Sequence, residues 1–265
     1  MNEEILIDFL KMSLKGKNAL VLGASGTLAS GAVAQFLQEG ATVVVVSRTD
    51  AKLKDIFGTF ADKKENLRGV VGTYETKAQV EKLYAKVKEA LNGASPDHVV
   101  SSLGFATLTP NGIISSDLKT LTDSFAESLF PTILAAQVIL ADIRDKEGTT
   151  YTVTTGGFAY DCYFPGMWPA TIKNSALNAV IKSLAKDTEA NKVRVNGNCP
   201  YYTIAYPGAK MNNFNFPVEQ DSHEFGKTYL GFALDTNLKG KLVDFPKKED
   251  AEKFYVASVI KPSKQ

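Results

Sequence analysis

Tyr206 and Lys210, in YPGAK, are a phenol and an ammonium four residues apart. On a helix that spacing stacks the two side chains, and the cation lowers the phenol's pKa enough to make it a proton donor near neutral pH. Pro207 and Gly208 stand between them and oppose a helix, so YPGAK reads as a loop and the pair as coincidental. A second constellation is stronger. GASGTLASG (23–31) carries Gly23 and Gly26 in a GxxGxxG spacing, with Ala29 in the third place. Glycines allow a tight turn, and the start of a following helix offers free N–H groups and a positive dipole end to a pyrophosphate. Gly23, Ser25, Gly26, Thr27 and Leu28 are the expected contacts. Further on, SRTD places Ser47 where an NAD-binding chain sets an acid against the ribose hydroxyls, and Arg48 follows. An arginine without an acid favours the 2′-phosphate of NADP, through charge-assisted, bidentate bonds.

These residues need strands and helices to hold them. NALVLGA (18–24) and ATVVVVS (41–47) are apolar throughout, as strands covered on both faces are, and Val33, Phe36 and Leu37 form a helical stripe between them that ends at Gly40. The alternation continues with a strand over 67–74, a helix opened by the Thr76–Gln79 capping box, and a strand over 97–104. A long helix over 117–145 follows, with a kink expected at Pro131. A strand over 149–155, a helix over 169–190, a strand over 193–200, a helix over 223–234 and a strand over 240–245 complete the series. Seven strands alternating with helices predict an α/β fold, a Rossmann-type doubly wound parallel sheet in a single domain over 1–265. The Pro-, Gly- and Asn-rich stretch 204–222 reads as a substrate loop over the carboxyl edge of the sheet.

Composition narrows the partners. Of 265 residues, 44% are hydrophobic and 22% charged, which suits one large core, and 30 basic against 29 acidic residues leave a net charge of +1. No global field recruits nucleic acid or an anionic membrane, so a small-molecule partner is expected. Cys162 and Cys199 are too few for a disulfide framework and are expected as buried, inert thiols in a reducing compartment. The N-terminus begins acidic, with Ile5, Leu6, Phe9 and Leu10 at helical spacing, unlike a signal peptide. No run approaches the about 18 consecutive apolar residues of a membrane span. The reading is a cytoplasmic protein, with no membrane and no metal: no His/Cys/Asp/Glu cluster has ligand spacing and no GxSxG occurs. His98, ahead of a strand, is expected at the surface, and His223 at a helix start.

Taken together, the chain resembles the short-chain dehydrogenase/reductase family over nearly its whole length. GASGTLA is similar to that family's phosphate loop, VVSSLG to the strand that usually reads NNAG, and VRVNGNCPYYTI to the strand that usually runs RVN and then PG. The resemblance implies that Ser101, Ser102, Leu103, Gly104, Asn174, Pro200 and Thr203 also meet the cofactor, and that the protein is a homo-dimer or tetramer. It also implies a serine after the fifth strand and a Tyr-x-x-x-Lys pair on the next helix. Here Thr155 keeps a hydroxyl, but NSALNAVIKSLAKD aligns Ala170 with the tyrosine and Asn174 with the lysine, and Ser128 falls near the asparagine of the fourth helix. Lys173 is one residue short of the lysine position, and one helical step of about 100° is expected to turn it away.

Substitutes are sought in the loop GGFAYDCYFPGMWP. Tyr163 is the preferred acid, with Tyr160, Tyr201 and Tyr202 as substrate contacts; the rival reading packs Phe158, Tyr160, Tyr163, Phe164 and Trp168 into an apolar lid. The expected activity is NADPH-dependent reduction of a small apolar, conjugated carbonyl. The alternative is a non-redox use of the same scaffold, as a dinucleotide sensor or an isomerase or cyclase.

Overall fold

β1 (Asn18–Leu22) and β2 (Thr42–Ser47) are buried on both faces, as their unbroken apolar runs demand, and α1 (Thr27–Gln38) crosses between them. This βαβ unit opens a computed structural model that describes residues 14–212 and 214–260, so the helix expected near the N-terminus lies outside the described residues. α2 (Asp50–Thr59), β3 (Leu67–Val71), α3 (Lys77–Ala90) and β4 (His98–Ser101) follow. The Thr76 hydroxyl accepts from the Gln79 N–H and the Gln79 side chain returns a bond to the Thr76 N–H, so the capping box forms as expected.

α4 (Leu118–Ser124), a π-helical turn (Phe125–Leu129) and α5 (Phe130–Ile143) make one continuous helix. The break expected at Pro131 takes the form of that wide turn, which accommodates a residue with no N–H to donate. By length and composition this helix passes for a membrane span, yet 50% of its most apolar window is buried and it packs on α3 in the interior. β5 (Thr150–Thr154), α6 (Trp168–Asp187) and β6 (Arg194–Pro200) lead to a short parallel pair, β7 (Ile204–Ala205) and β8 (Gln220–Asp221). α7 (Ser222–Phe225), α8 (Lys227–Leu234), β9 (Leu242–Phe245) and α9 (Lys248–Ile260) end the fold.

The main sheet has seven strands in the order β3-β2-β1-β4-β5-β6-β9, all parallel. Strand order reverses between β1 and β4, which opens a crevice beyond their carboxyl ends. One core layer gathers Val33, Phe36, Tyr229 and Phe232; the other gathers Leu83, Val87, Ile139 and Tyr151.

Four features depart from the sequence reading. α2 and α9 were not anticipated: α2 buries only Leu53 and Ile56, a stripe too sparse to stand out, and starts where the Thr49 hydroxyl accepts from the Lys52 N–H. The single helix expected over 223–234 is two, meeting at Gly226, which keeps helical angles (φ −52°, ψ −27°) and lies against α1. A Cβ on Gly226 would stand 2.2 Å from the Gly31 carbonyl oxygen, and one on Gly31 would stand 1.9 Å from that of Ser222. His98 is buried, not exposed, with Nδ1 3.0 Å from the Thr150 hydroxyl, and burial pushes its pKa down to about 4. Cys199 is buried as expected, whereas Cys162 is exposed, since its loop stands clear of the core.

Candidate active site

The loop after β1 is shaped by two glycines. Gly23 has φ +79°, and a Cβ there would lie 2.2 Å from the Ser102 carbonyl oxygen, so only glycine lets the ends of β1 and β4 approach this closely. The Gly26 N–H closes the turn on the Gly23 carbonyl at 2.8 Å. Gly26 then caps α1 without a side-chain bond, which leaves the first-turn N–H groups to an outside acceptor.

A groove runs from the end of β2 across this loop. Ser47, Arg48 and Lys52 line one end, Gly23, Ser25 and Gly26 the middle, and Ser102, Leu103, Gly104 and Phe105 the other end. Thr27 opens α1 beside it. Several groups here escaped the sequence reading, among them Lys52, a second cation, Tyr74, and the acids Glu75 and Glu127. Arg48 and Lys52 are neighbours because α2 starts directly after β2, a relation hidden while α2 went unrecognised. Ser101 does not reach the groove; it is buried within β4, where the strand's alternation turns it into the sheet layer.

At Ser102–Phe105 the groove meets a second pocket. Its walls are apolar, with Phe158, Leu177, Ile204, Phe214 and Phe216 among them. Leu28, Asn174, Pro200, Tyr202 and Thr203 line it too, and the Thr155 hydroxyl points back to the Asn174 carbonyl at 3.4 Å. Tyr202 donates to the Gln220 side chain at 2.7 Å and burial pushes its pKa up, so its phenol is engaged. The Thr203 hydroxyl donates to the Pro217 carbonyl, holding 204–222 across the pocket mouth.

Lys173 also lines this pocket. It is 5% exposed, donates from Nζ to the Phe105 carbonyl oxygen at 3.0 Å, and burial pushes its pKa down to about 8, with Glu127 opposing. The expectation that it would point away is corrected by helix geometry. Ala170, Lys173, Asn174 and Leu177 are i, i+3, i+4 and i+7, one continuous buried stripe of α6. A step from 174 to 173 moves across that stripe and not off it.

The other tyrosines lie elsewhere. Tyr163 is 59% exposed and meets Phe158 edge-on, with ring centroids 6.2 Å apart. Tyr160 is exposed, donates to Asp244 at 3.2 Å and packs against Tyr201. Neither they nor Tyr201 line the pocket. Trp168 is buried and donates from Nε1 to the Ser116 hydroxyl at 3.3 Å. YPGAK is a turn, as its Pro-Gly core predicts, yet Tyr206 has a role the sequence did not show: its hydroxyl donates to the Ser25 carbonyl at 2.7 Å. Among the described residues no group of three or more His, Cys, Asp or Glu could hold a metal ion.

A seven-stranded parallel sheet with a glycine loop at its strand-order reversal defines a Rossmann-type α/β protein. The chain belongs to the short-chain dehydrogenase/reductase family: residues 17–213 match its model, described as short chain dehydrogenase. It is 25% identical over 187 residues to a very-long-chain 3-oxoacyl-CoA reductase of Pyricularia oryzae, covering 70% of this chain and 56% of that protein. The chain thus spans little more than half the length of that relative. A tropinone reductase homolog of Arabidopsis thaliana is 25% identical over 92% of this chain and 87% of its own. Among solved structures, a dehydrogenase/reductase from Sinorhizobium meliloti superposes with a TM-score of 0.78 at 16% identity, covering 91% of this chain and 97% of that one. An NADPH-bound short chain oxidoreductase from Pseudomonas aeruginosa, described as containing an atypical catalytic center, gives 0.75 at 15% identity over 88% and 96%.

Proposed function

We propose that the protein is an NADPH-dependent oxidoreductase acting on a small, largely apolar, conjugated carbonyl compound. The observation that carries this reading is the meeting of the glycine-loop groove and the apolar pocket at Ser102–Phe105. The residues present fit a dinucleotide by their own geometry: a glycine turn whose Gly23 lets the ends of β1 and β4 approach closely, a helix start with no side-chain cap, and two cations at the end of β2. Gly23, Ser25, Gly26, Thr27 and Leu28 would hold the pyrophosphate, with Arg48 and Lys52 at the 2′-phosphate. Asn174, Pro200 and Thr203 would flank the reactive end.

A bound dinucleotide supplies the hydride. The chain's own residues orient the acceptor: the apolar walls exclude water, and the Thr155 hydroxyl, on turning from its 3.4 Å bond to the Asn174 carbonyl, would donate to the substrate oxygen. Tyr163 would reach that oxygen only if its loop closed inward. A conjugated acceptor spreads the developing charge, so it tolerates a site with Ala170 where the family sets a tyrosine. The same alanine favours the second reading, a non-redox protein that binds the dinucleotide and uses only the pocket. A cytoplasmic homo-dimer or tetramer, acting on a small molecule and not on nucleic acid or membrane, completes the proposal.

The test is a panel of enones, quinone-like compounds and simple ketones followed at the nicotinamide absorbance with NADPH and with NADH. Oxidation with the conjugated acceptors and almost none with simple ketones is expected. Brisk ketone reduction would defeat the missing-acid argument, and silence across the panel with NADPH still bound would favour the non-redox reading.

A further inference from the structure

Lys173 is the one side chain of the pocket whose chemistry the family pattern does not explain. It sits where the helix stripe faces the cavity, 5% exposed, among Phe105, Phe158, Leu177 and Phe214. Among the described residues no carboxylate forms an ion pair with it; its hydrogen bond goes to the neutral carbonyl of Phe105, which leaves two of its three N–H donors for something else. A cation in such a place, with no ion pair and only the longer-range pull of Glu127, is unfavourable on its own. It is tolerable if a ligand brings an oxygen that turns anionic.

The other proton-bearing groups are otherwise engaged. Tyr202 is bonded to Gln220, Tyr160 to Asp244, and Tyr163 stands in solvent. Thr155 has a hydroxyl too weakly acidic to serve alone. The charged group facing Lys173 from the neighbouring π turn is Glu127, and Tyr202 is the other titratable residue on the pocket wall.

We propose that Lys173 is the proton donor of this site, giving its proton to the oxygen of a conjugated carbonyl substrate. The inference rests on the reductase reading above. The balance is simple: a bound dinucleotide would supply the hydride for the new C–H bond at the β-carbon, the alkene π pair shifts to the bond between the α-carbon and the carbonyl carbon, the carbonyl π pair moves to oxygen, and that oxygen takes the proton as a Lys173 N–H bond breaks, giving the enol and the oxidised dinucleotide. The neutral amine takes a proton back from water at the pocket mouth. A lysine whose pKa burial has brought to about 8 is a far better acid than an exposed one, and it regains its proton near neutral pH.

Two measurements test it. Competitive acetylation of the cofactor-free protein with acetic anhydride, mapped by peptide, reads the titration of Lys173 directly. An inflection near pH 8 and protection by an enone are expected. An ordinary lysine titration, or labelling indifferent to the enone, overturns the proposal. In turnover, Lys173→Met should lower kcat at least about 100-fold, in the range of a lost general acid. NADPH affinity by fluorescence should stay within about fivefold, and the wild-type rate should fall as pH rises through about 8, a limb the variant lacks. A lysine that merely pinned the Phe105 loop would show a loss of melting temperature and no change in the pH limb; that result, or undiminished kcat, overturns the assignment while leaving the reductase reading intact. If the wild-type protein binds NADPH but oxidises it with none of the acceptors in the panel, the reductase reading itself fails and the assignment with it.

Discussion

The Tyr206 hydroxyl donates a hydrogen bond to the Ser25 carbonyl oxygen at 2.7 Å, joining residues 181 positions apart and tying the 204–222 segment to the loop that would hold a pyrophosphate. The tie is supported from behind by the Gly31–Gly226 contact, which seats the end of that segment on α1. Tyr206→Phe removes one hydrogen bond, and a neutral bond is worth about 0.5 to 1.5 kcal/mol. Dinucleotide affinity should fall about two- to tenfold, read by fluorescence titration. Lys210→Ala, in the exposed turn, should leave it unchanged; a hundredfold loss there would mean that the site is misplaced.

Cofactor preference should reside at the end of β2. NADPH should bind more tightly than NADH, and Arg48→Ala should remove about 1.5 to 3 kcal/mol of that preference, the worth of a hydrogen bond to a charged group. Lys52→Ala should remove a smaller share, since an ammonium meets phosphate as a point charge and not as a fork. Equal wild-type affinity for the two dinucleotides would refute both statements.

Glycine requirements differ sharply along the chain. Gly23→Ala should destabilise the fold by more than about 1 kcal/mol, from backbone strain at φ +79° and a Cβ driven onto the Ser102 carbonyl. Gly58, exposed in α2 with open space around it, is the control: alanine there should stabilise by about 0.5 to 1 kcal/mol. Urea midpoints measure both, and a Gly23→Ala protein as stable as wild type would show that the loop can relax.

On the substrate side, Thr155→Val keeps the shape and deletes the hydroxyl inside the pocket. It should lower kcat/KM for a conjugated acceptor by about 10- to 100-fold, as for a lost bond to a developing charge. Tyr163→Phe, on an exposed side chain, should change it by less than about threefold. The reverse ranking would show that the loop carrying Tyr163 closes during turnover.

Stability should rise with pH between about 4 and 6.5 because of His98. Burial holds it neutral in the fold, against Asp97, which favours the charged form, with Arg194, Lys17 and Lys146 adding to the depression. The depressed group is neutral in both states above about 6.5, so its full contribution is present there. As pH falls below that value the unfolded chain takes up the proton first, and stability drops until the folded His98 is protonated near pH 4, by roughly 3 kcal/mol. Melting curves across that range should show the slope, and His98→Gln should flatten it.

The alternation of apolar runs with helical stripes determined the seven parallel strands and their order of appearance, most plainly at β1 and β2, which are buried on both faces and almost wholly apolar. GASGTLASG likewise announced its loop, since a positive φ and a close backbone approach leave glycine no substitute. Local pattern was silent on α2 and α9, whose buried stripes are thin, and on His98, whose place is set by Thr150 on the neighbouring strand. The candidate pocket was decided in three dimensions. Tyr163 looked like an acid by position and stands in solvent, whereas Lys173 looked misplaced by one residue and faces the cavity. A linear alignment assigns one residue to a role, but a helix presents i, i+3, i+4 and i+7 to the same surface, and only packing against β6 and the Phe105 loop selects which side chain reaches the site.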